Sequence, residues 1–206
     1  MTVHTLPLGA YQTNTYIVAN AGRCVIIDPG YEADTILGFL AKNGLTADAI
    51  LLTHGHFDHV GAVEKLVEKT NCKLWMSERD WSQKISPLTS YFYPIANCDF
   101  TEVQLCEDGE EISAAGLTFS VLETPGHTRG SVCYLCSDAL FSGDTLFAGS
   151  CGRTDFPGGS WEQLMNSFAR LAKLPGNYSV LSGHGGASEL ERERAHNPYM
   201  KEAMKR

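Results

Sequence analysis

Three histidines and one aspartate fall within six residues in Thr53-His-Gly-His-Phe-Asp-His59. With only 7 His in 206 residues, a pattern of that kind arises by chance in on the order of a few chains in ten thousand, so composition does not account for it. Imidazole suits zinc, nickel and iron, a carboxylate adds a harder anionic donor, and Gly55 lets the backbone bend so that alternate side chains converge. The plain alternative, a solvated polar loop, loses weight because the cluster follows the buried-type run Ala49-Ile-Leu-Leu-Thr53. Three more segments share the format of a strand end, a glycine and one donor: Thr124-Pro-Gly-His127-Thr, Ser142-Gly-Asp144-Thr and Ser182-Gly-His184-Gly. Each alone reads as a turn. Together they bring the donors to His54, His56, Asp58, His59, His127, Asp144 and His184. One catalytic zinc takes about three protein ligands and a water, so this set is too large for one ion and suits two sharing a carboxylate. The expected cofactors are two divalent cations, zinc first, with iron or manganese accepted by the same donors. His4 and His196 lie outside these loops and read as surface residues.

The elements that must carry these loops follow from apolar patterning. Tyr16-Ile-Val-Ala and Cys24-Val-Ile-Ile, joined by Asn20-Ala-Gly-Arg, form a hairpin signal closed by the turn Asp28-Pro-Gly30. Ile36, Leu37, Phe39 and Leu40 recur at helical spacing, as do Val60, Val63 and Val67 beyond the histidine loop. Leu74-Trp-Met is a short strand, and Ser77 opens a capped helix. Leu117 to Leu122, Val132 to Leu135, Ala139 to Phe141 and Tyr178 to Leu181 read as further strands. Trp161 to Leu171 is helical, and the tail Ser188 to Lys205 is a helix broken at Asn197-Pro198, a good cap followed by a good first helical residue. The aromatic loop Ile85 to Phe100, with Tyr91, Phe92, Tyr93 and Pro94, is read as packing in preference to a substrate groove. Strands and helices alternate in each half, which favours an α/β fold with helices outside two sheets. No linker or repeat divides residues 1–206, so a single domain is expected.

Composition excludes several partners. The 24 acidic against 16 basic residues give a net charge of −8, which disfavours nucleic acid, and no apolar run reaches the length of a membrane helix. Met1 to Ala10 lacks the pattern of a signal peptide, so the expected location is cytoplasmic. Seven scattered cysteines suit free thiols better than disulfides. Cys133 and Cys136 form a lone CxxC inside a strand, which sends them to opposite faces. The expected partner is a small-molecule substrate; oligomeric state is not legible.

The Thr-His-x-His-x-Asp-His loop, Pro-Gly-His-Thr, Gly-Asp-Thr-Leu-Phe and Gly-His together resemble the metallo-β-lactamase superfamily in its glyoxalase II-like branch. The likeness extends to Cys151-Gly-Arg-Thr-Asp-Phe156 and Glu193-Arg-Ala-His-Asn-Pro-Tyr199. It implies a four-layer αββα sandwich with metals at one edge. It also implies a division of donors: His54, His56 and His127 for one metal, Asp58, His59 and His184 for the other, and Asp144 between them. Arg153 matches a basic position that contacts the glutathione carboxylate in larger relatives; a surface salt bridge is the equally weighted alternative. The chain differs from secreted β-lactamases of this fold, which use Cys where Asp144 stands. It also has little chain beyond His184, where full-length glyoxalase II proteins carry a helical domain.

Two cations sharing a water would yield hydroxide, with Asp58 and Asp144 orienting it as the catalytic carboxylates. A thioester such as S-lactoylglutathione suits such a site because a thiolate leaves without a separate acid. The alternative expectation is a mononuclear-iron persulfide dioxygenase of the same superfamily, whose iron is held at positions matching His54, His127 and Asp144. RNA hydrolysis fits the acidic balance poorly, and a non-catalytic metal module fits the open donor set poorly.

Overall fold

The computed structural model describes residues 1–82 and 103–206. The aromatic segment Ile85 to Phe100 lies outside the described residues. Two six-stranded sheets form the centre. The first runs β1 (Thr2–Leu8), β2 (Thr13–Asn20), β3 (Arg23–Ile27), β4 (Thr46–Leu51), β5 (Lys73–Ser77) and β6 (Val103–Cys106) in sequence order. β1 to β3 pair antiparallel, and β3 to β6 pair parallel. The second has spatial order β14 (Ser188–Glu189), β13 (Ser179–Ser182), β10 (Ala139–Gly143), β9 (Val132–Cys136), β8 (Leu117–Glu123) and β7 (Glu111–Ala114). Only β10 and β13 pair parallel in that sheet. A two-residue hairpin, β11 (Leu146–Phe147) and β12 (Ser150–Cys151), stands apart.

The side-chain period of two explains the layering. On β3, Val25 and Ile27 face the second sheet, where they meet Phe119, Val121, Tyr134 and Phe141. Their neighbours Cys24 and Ile26 face outward onto α1 (Ala33–Lys42) and α3 (Val63–Thr70), the latter preceded by the one-turn α2 (Phe57–Val60), through Ile36, Leu40, Val63 and Leu66. In the second sheet, Cys133, Leu140 and Val180 face α5 (Trp161–Ala172) through Leu164, Phe168 and Leu171. Three buried cores therefore separate four layers, helix, sheet, sheet, helix, as the sequence led us to expect. Strands covered on both faces read as continuous apolar runs, which is why Cys24-Val-Ile-Ile was legible. The CxxC pair divides as expected, Cys136 entering the inter-sheet core and Cys133 the outer one.

The tail breaks where expected: α6 (Leu190–His196) ends at Asn197, whose side chain accepts the Tyr199 and Met200 amides to open α7 (Pro198–Ala203). Ser77 likewise caps α4 (Glu78–Trp81), accepting the Arg79 amide. His196 is exposed, whereas His4 is half-buried, its ring edge-on to Phe39 at 5.1 Å. Among the described residues no helix is long and apolar enough to cross a membrane.

Candidate metal centre

Each of the four glycine-bearing loops leaves the C-terminal end of a strand: residues 52–59 follow β4, 124–130 follow β8, 144 follows β10 and 183–186 follow β13. Backbone and side-chain hydrogen bonds join the two sheets at this edge. Val132 N–H donates to the Thr53 carbonyl at 2.8 Å and Asn14 N–H to the Gly183 carbonyl at 2.7 Å. The Tyr16 hydroxyl donates to the Ser182 carbonyl at 2.6 Å. Gly183 must be glycine for room, since a Cβ there would collide with Asp144 Oδ1 and His59 Cε1.

All seven donors meet here. His54, His56 and His127 each place one ring nitrogen within 4.8 Å of the others, and Asp58, His59 and His184 form a second such group. The three rings of the first group stand nearly perpendicular to one another, at 83–90°, with centroids 4.6–4.8 Å apart. Asp144 lies between the groups. Its Oδ2 is 3.6 Å from His127 Nε2 and 3.5 Å from His184 Nε2, and its Oδ1 is 3.4 Å from His59 Nε2. Asp58 Oδ2 is 3.2 Å from His184 Nε2.

The outward nitrogens are fixed by partners that sequence reasoning missed. Asp28 is buried, accepts the Thr53 amide at 2.8 Å and the Thr53 hydroxyl at 2.6 Å, and takes the His59 Nδ1–H at 3.0 Å. Because the Thr53 hydroxyl donates to Asp28, its oxygen accepts the His54 Nδ1–H at 3.0 Å. His127 and His184 donate through Nδ1 to the carbonyls of Arg153 and Tyr11, at 2.8 and 3.2 Å. In each of these four rings the Nε2 lone pair is thereby turned inward.

Electrostatics match a cation site. Burial, reinforced by the neighbouring imidazoles, holds His54 well below the ordinary histidine range and takes His56 down to about 3. Burial also opposes charge on His59 and His184, but the carboxylates outweigh it and raise both, Asp144 and Asp28 for His59, Asp58 and Asp144 for His184. Burial would raise Asp58 and Asp144 too, yet the imidazoles, His184 and His59 foremost for Asp58 and His59 for Asp144, hold both carboxyls down. His54 and His56 are thus held neutral, the state in which imidazole binds a metal, while His59 and His184, favoured as imidazolium by the carboxylates, would release a proton to a bound cation. His54 Nε2, His59 Nε2 and Asp144 Oδ1 are buried without a hydrogen bond, a cost of about 1–3 kcal/mol each that a cation would remove. The residues present fit two divalent metals.

Above the cluster opens a pocket of about 520 Å³, walled by Tyr11, Phe57, Phe147, Cys151, Arg153 and Phe156. Arg153 forms a salt bridge, one of the two roles expected of it. It lines the pocket and is also held by Asp155 in a two-point pair of 2.7 and 2.8 Å, with its guanidinium 3.7 Å above the Phe156 ring. Arg153 in turn holds the Asp155 carboxyl down at about 2.

Residues 8–184 match the family model of the metallo-beta-lactamase superfamily, and the chain belongs to that family. It is 37% identical over 203 residues, covering 95% of each chain, to the probable metallo-hydrolase YqgX of Bacillus subtilis. To the hydroxyacylglutathione hydrolase GloC of Haemophilus influenzae it is 32% identical over 208 residues, 97% of this chain and 98% of that one. Among solved structures it is similar to the B3 metallo-beta-lactamase BLEG-1, with a TM-score of 0.85, 35% identity and coverage of 97% and 99%. It is similar also to TTHA1623 in a di-iron-bound form, with a TM-score of 0.83, 36% identity and coverage of 96% and 100%. ETHE1 from Myxococcus xanthus gives a TM-score of 0.81 at 31% identity, over 96% of this chain and 84% of that one.

Proposed function

We propose that this chain, acting as one domain, is a glyoxalase II-like hydrolase of thioesters of the hydroxyacylglutathione kind, working with two divalent metals. His54, His56 and His127 would hold one, and Asp58, His59 and His184 the other. The observation that carries this reading is Asp144, whose two carboxylate oxygens face both donor groups at 3.4–3.6 Å. When bound, such metals polarise a carbonyl and bring the pKa of a water towards neutrality, supplying the nucleophile.

The chain's own residues supply the rest. The carboxylates of Asp58 and Asp144 are 13% and 12% exposed at the pocket floor, so they can orient an attacking water by accepting its hydrogen bonds. The aromatic wall of Tyr11, Phe57, Phe147 and Phe156 excludes bulk water and packs the acyl-thiol carrier. Arg153 stands at the rim to meet a carrier carboxylate in competition with Asp155. A thiolate, with a parent pKa of about 8.5, leaves without a proton donor, which favours thioesters over amides. The likeness to GloC supports glutathione as the carrier, because the two chains are nearly coextensive and the match requires no added helical domain.

Metal analysis with turnover of a thioester panel tests the proposal. About two metals per chain and hydrolysis of S-lactoylglutathione are expected; a fully metallated protein that hydrolyses no thioester, or only β-lactams, overturns it. Asp144→Asn is expected to weaken both metals together, and His184→Ala to release chiefly one; equal loss of both in the His184 variant refutes the division of donors. A second reading, compatible with the similarity to ETHE1, is oxidation of a persulfide at one iron held by His54, His127 and Asp144. One iron per chain with oxygen uptake on glutathione persulfide would select it.

A further inference from the structure

Asp80, in the short α4, is buried with 0% of its surface exposed, and no sequence motif points to it. Burial alone raises its carboxyl pKa, and hydrogen bonds from Gly55, Thr128 and Gly130 oppose that rise. Three donors converge on it: the Gly55 amide at 2.9 Å and the Thr128 hydroxyl at 2.8 Å on Oδ2, and the Gly130 amide at 2.8 Å on Oδ1. Gly55 stands between His54 and His56, and Thr128 follows His127. One carboxylate therefore ties the loop after β4 of the first sheet to the loop after β8 of the second.

The contact is closely built. A Cβ on Gly130 would lie 2.5 Å from the Asp80 amide nitrogen and 2.6 Å from Oδ1, too near for any side chain. Thr128 is fixed in turn, its amide donating to Ser131 Oγ at 3.0 Å and its hydroxyl lying 2.8 Å from the same oxygen. Since the Thr128 hydroxyl proton goes to Asp80, Ser131 must donate to Thr128, which gives every hydroxyl in the group a partner. The other donor group rests on different supports, His59 on Asp28 and His184 on the Tyr11 carbonyl.

We propose that Asp80 is a positioning residue that sets the mutual placement of His54, His56 and His127, without acting on Asp58, His59 and His184. The inference rests on the two-metal reading above and assigns a support to one of its sites. Replacing Asp80 by Asn puts an NH2 where an acceptor stood, so at least one of the three donors faces a donor. Supports of this kind change metal affinity by about 10–100-fold.

The test isolates each site. In a His184→Ala background only the His54, His56 and His127 group stays intact, and in a His127→Ala background only the Asp58, His59 and His184 group. Zinc affinity is measured in each by competition with a chromophoric chelator, with and without Asp80→Asn. The expected result is a fall of about 10–100-fold in the first background and less than about threefold in the second. Equal falls in both, or none in either, overturn the proposal. Cobalt(II) absorption gives a second readout: the coordination spectrum of the first background is expected to change with Asp80→Asn, and an unchanged spectrum counts against the proposal. Should Asp80→Asn fail to fold, Thr128→Val removes one of the three donors. It is expected to act in the same direction, with Thr128→Ser restoring affinity; no recovery in Thr128→Ser overturns the proposal. A wild-type chain that takes up one equivalent of zinc refutes the two-metal reading, and Asp80 is then judged by whether that equivalent weakens in Asp80→Asn.

Discussion

Asp28 acts on the cluster through its bonds to Thr53 and His59. Its backbone adopts φ 49°, which aspartate tolerates better than most residues, and that turn aims the carboxylate at Thr53 and His59. Asp28→Asn would turn an NH2 either towards the Thr53 amide or towards the Thr53 hydroxyl and the His59 ring N–H, so at least one donor that holds this loop loses its acceptor. We expect zinc affinity to fall about 10–100-fold by chelator competition and stability to fall about 1–3 kcal/mol by urea unfolding; unchanged zinc binding would show that the tautomers are set elsewhere. The donors themselves were legible from residue type and spacing, but Asp28 and Asp80 were not. Asp28-Pro-Gly carries an ordinary turn signal, and the residues it supports lie 25 and 31 positions away, beyond any local pattern. Thiols give a second prediction at this scale. Burial pushes Cys24 up to about 12 and Cys106 and Cys133 up to about 11, so at pH 8 they stay protonated and unreactive. Half-buried Cys151, on the pocket wall, is expected to be alkylated ahead of those three, read by peptide mass spectrometry; faster labelling of Cys133 would contradict the burial.

At the level of elements, the strands that carry the donors were the legible ones: β4 ends in a buried apolar run, β10 is buried throughout, β8 buries Phe119 and Val121 and β13 Val180, and each leads into a glycine-bearing loop. β1 was not. Its Thr2-Val-His-Thr-Leu-Pro-Leu8 sits at a sheet edge with mostly exposed or half-buried residues, so neither a continuous run nor a clean alternation marks it. β11, β12 and β14 have two residues each, too few for a period to show. The tail shows a signal read by half. Asn-Pro announces a cap, and the Asn197 carbonyl oxygen does cap α7. The other half of the amide donates to the Ser150 carbonyl at 2.9 Å and to Glu193 Oε2 at 2.8 Å, while Glu193 also accepts the Gly149 amide at 2.8 Å. The tail thus fixes the β11–β12 hairpin, which bears Phe147 and Cys151 of the pocket. Asn197→Ala removes the cap and one of the two donors to the buried Glu193 Oε2, an expected loss of about 2–4 kcal/mol in urea unfolding. A loss below about 1 kcal/mol would limit Asn197 to a surface cap.

For the whole molecule, the four layers followed from alternation and doubly covered strands, whereas strand order did not. Nothing in Ala139-Leu-Phe or Tyr178-Ser-Val-Leu indicates that these segments pair parallel across α5, because pairing depends on partners distant in sequence. The donor cluster draws on both sheets: His54, His56, Asp58 and His59 from the first, His127, Asp144 and His184 from the second. A cation bound there would bind the folded state and not the open one, so zinc is expected to raise Tm as its free concentration rises, the stabilisation reaching about 2.7 kcal/mol per site at a hundredfold excess over Kd. Identical melting with zinc and with chelator would separate metal binding from the joining of the sheets.

That division between sheets also orders events during synthesis. A ribosome makes the chain from its N-terminus, and the first sheet's four donors emerge well before the second sheet exists. His127 and Asp144 arrive later, and His184 only when most of the polypeptide has been made. The His54, His56 and His127 group is therefore complete on a partly translated chain, whereas the Asp58, His59 and His184 group waits for the last of the seven donors.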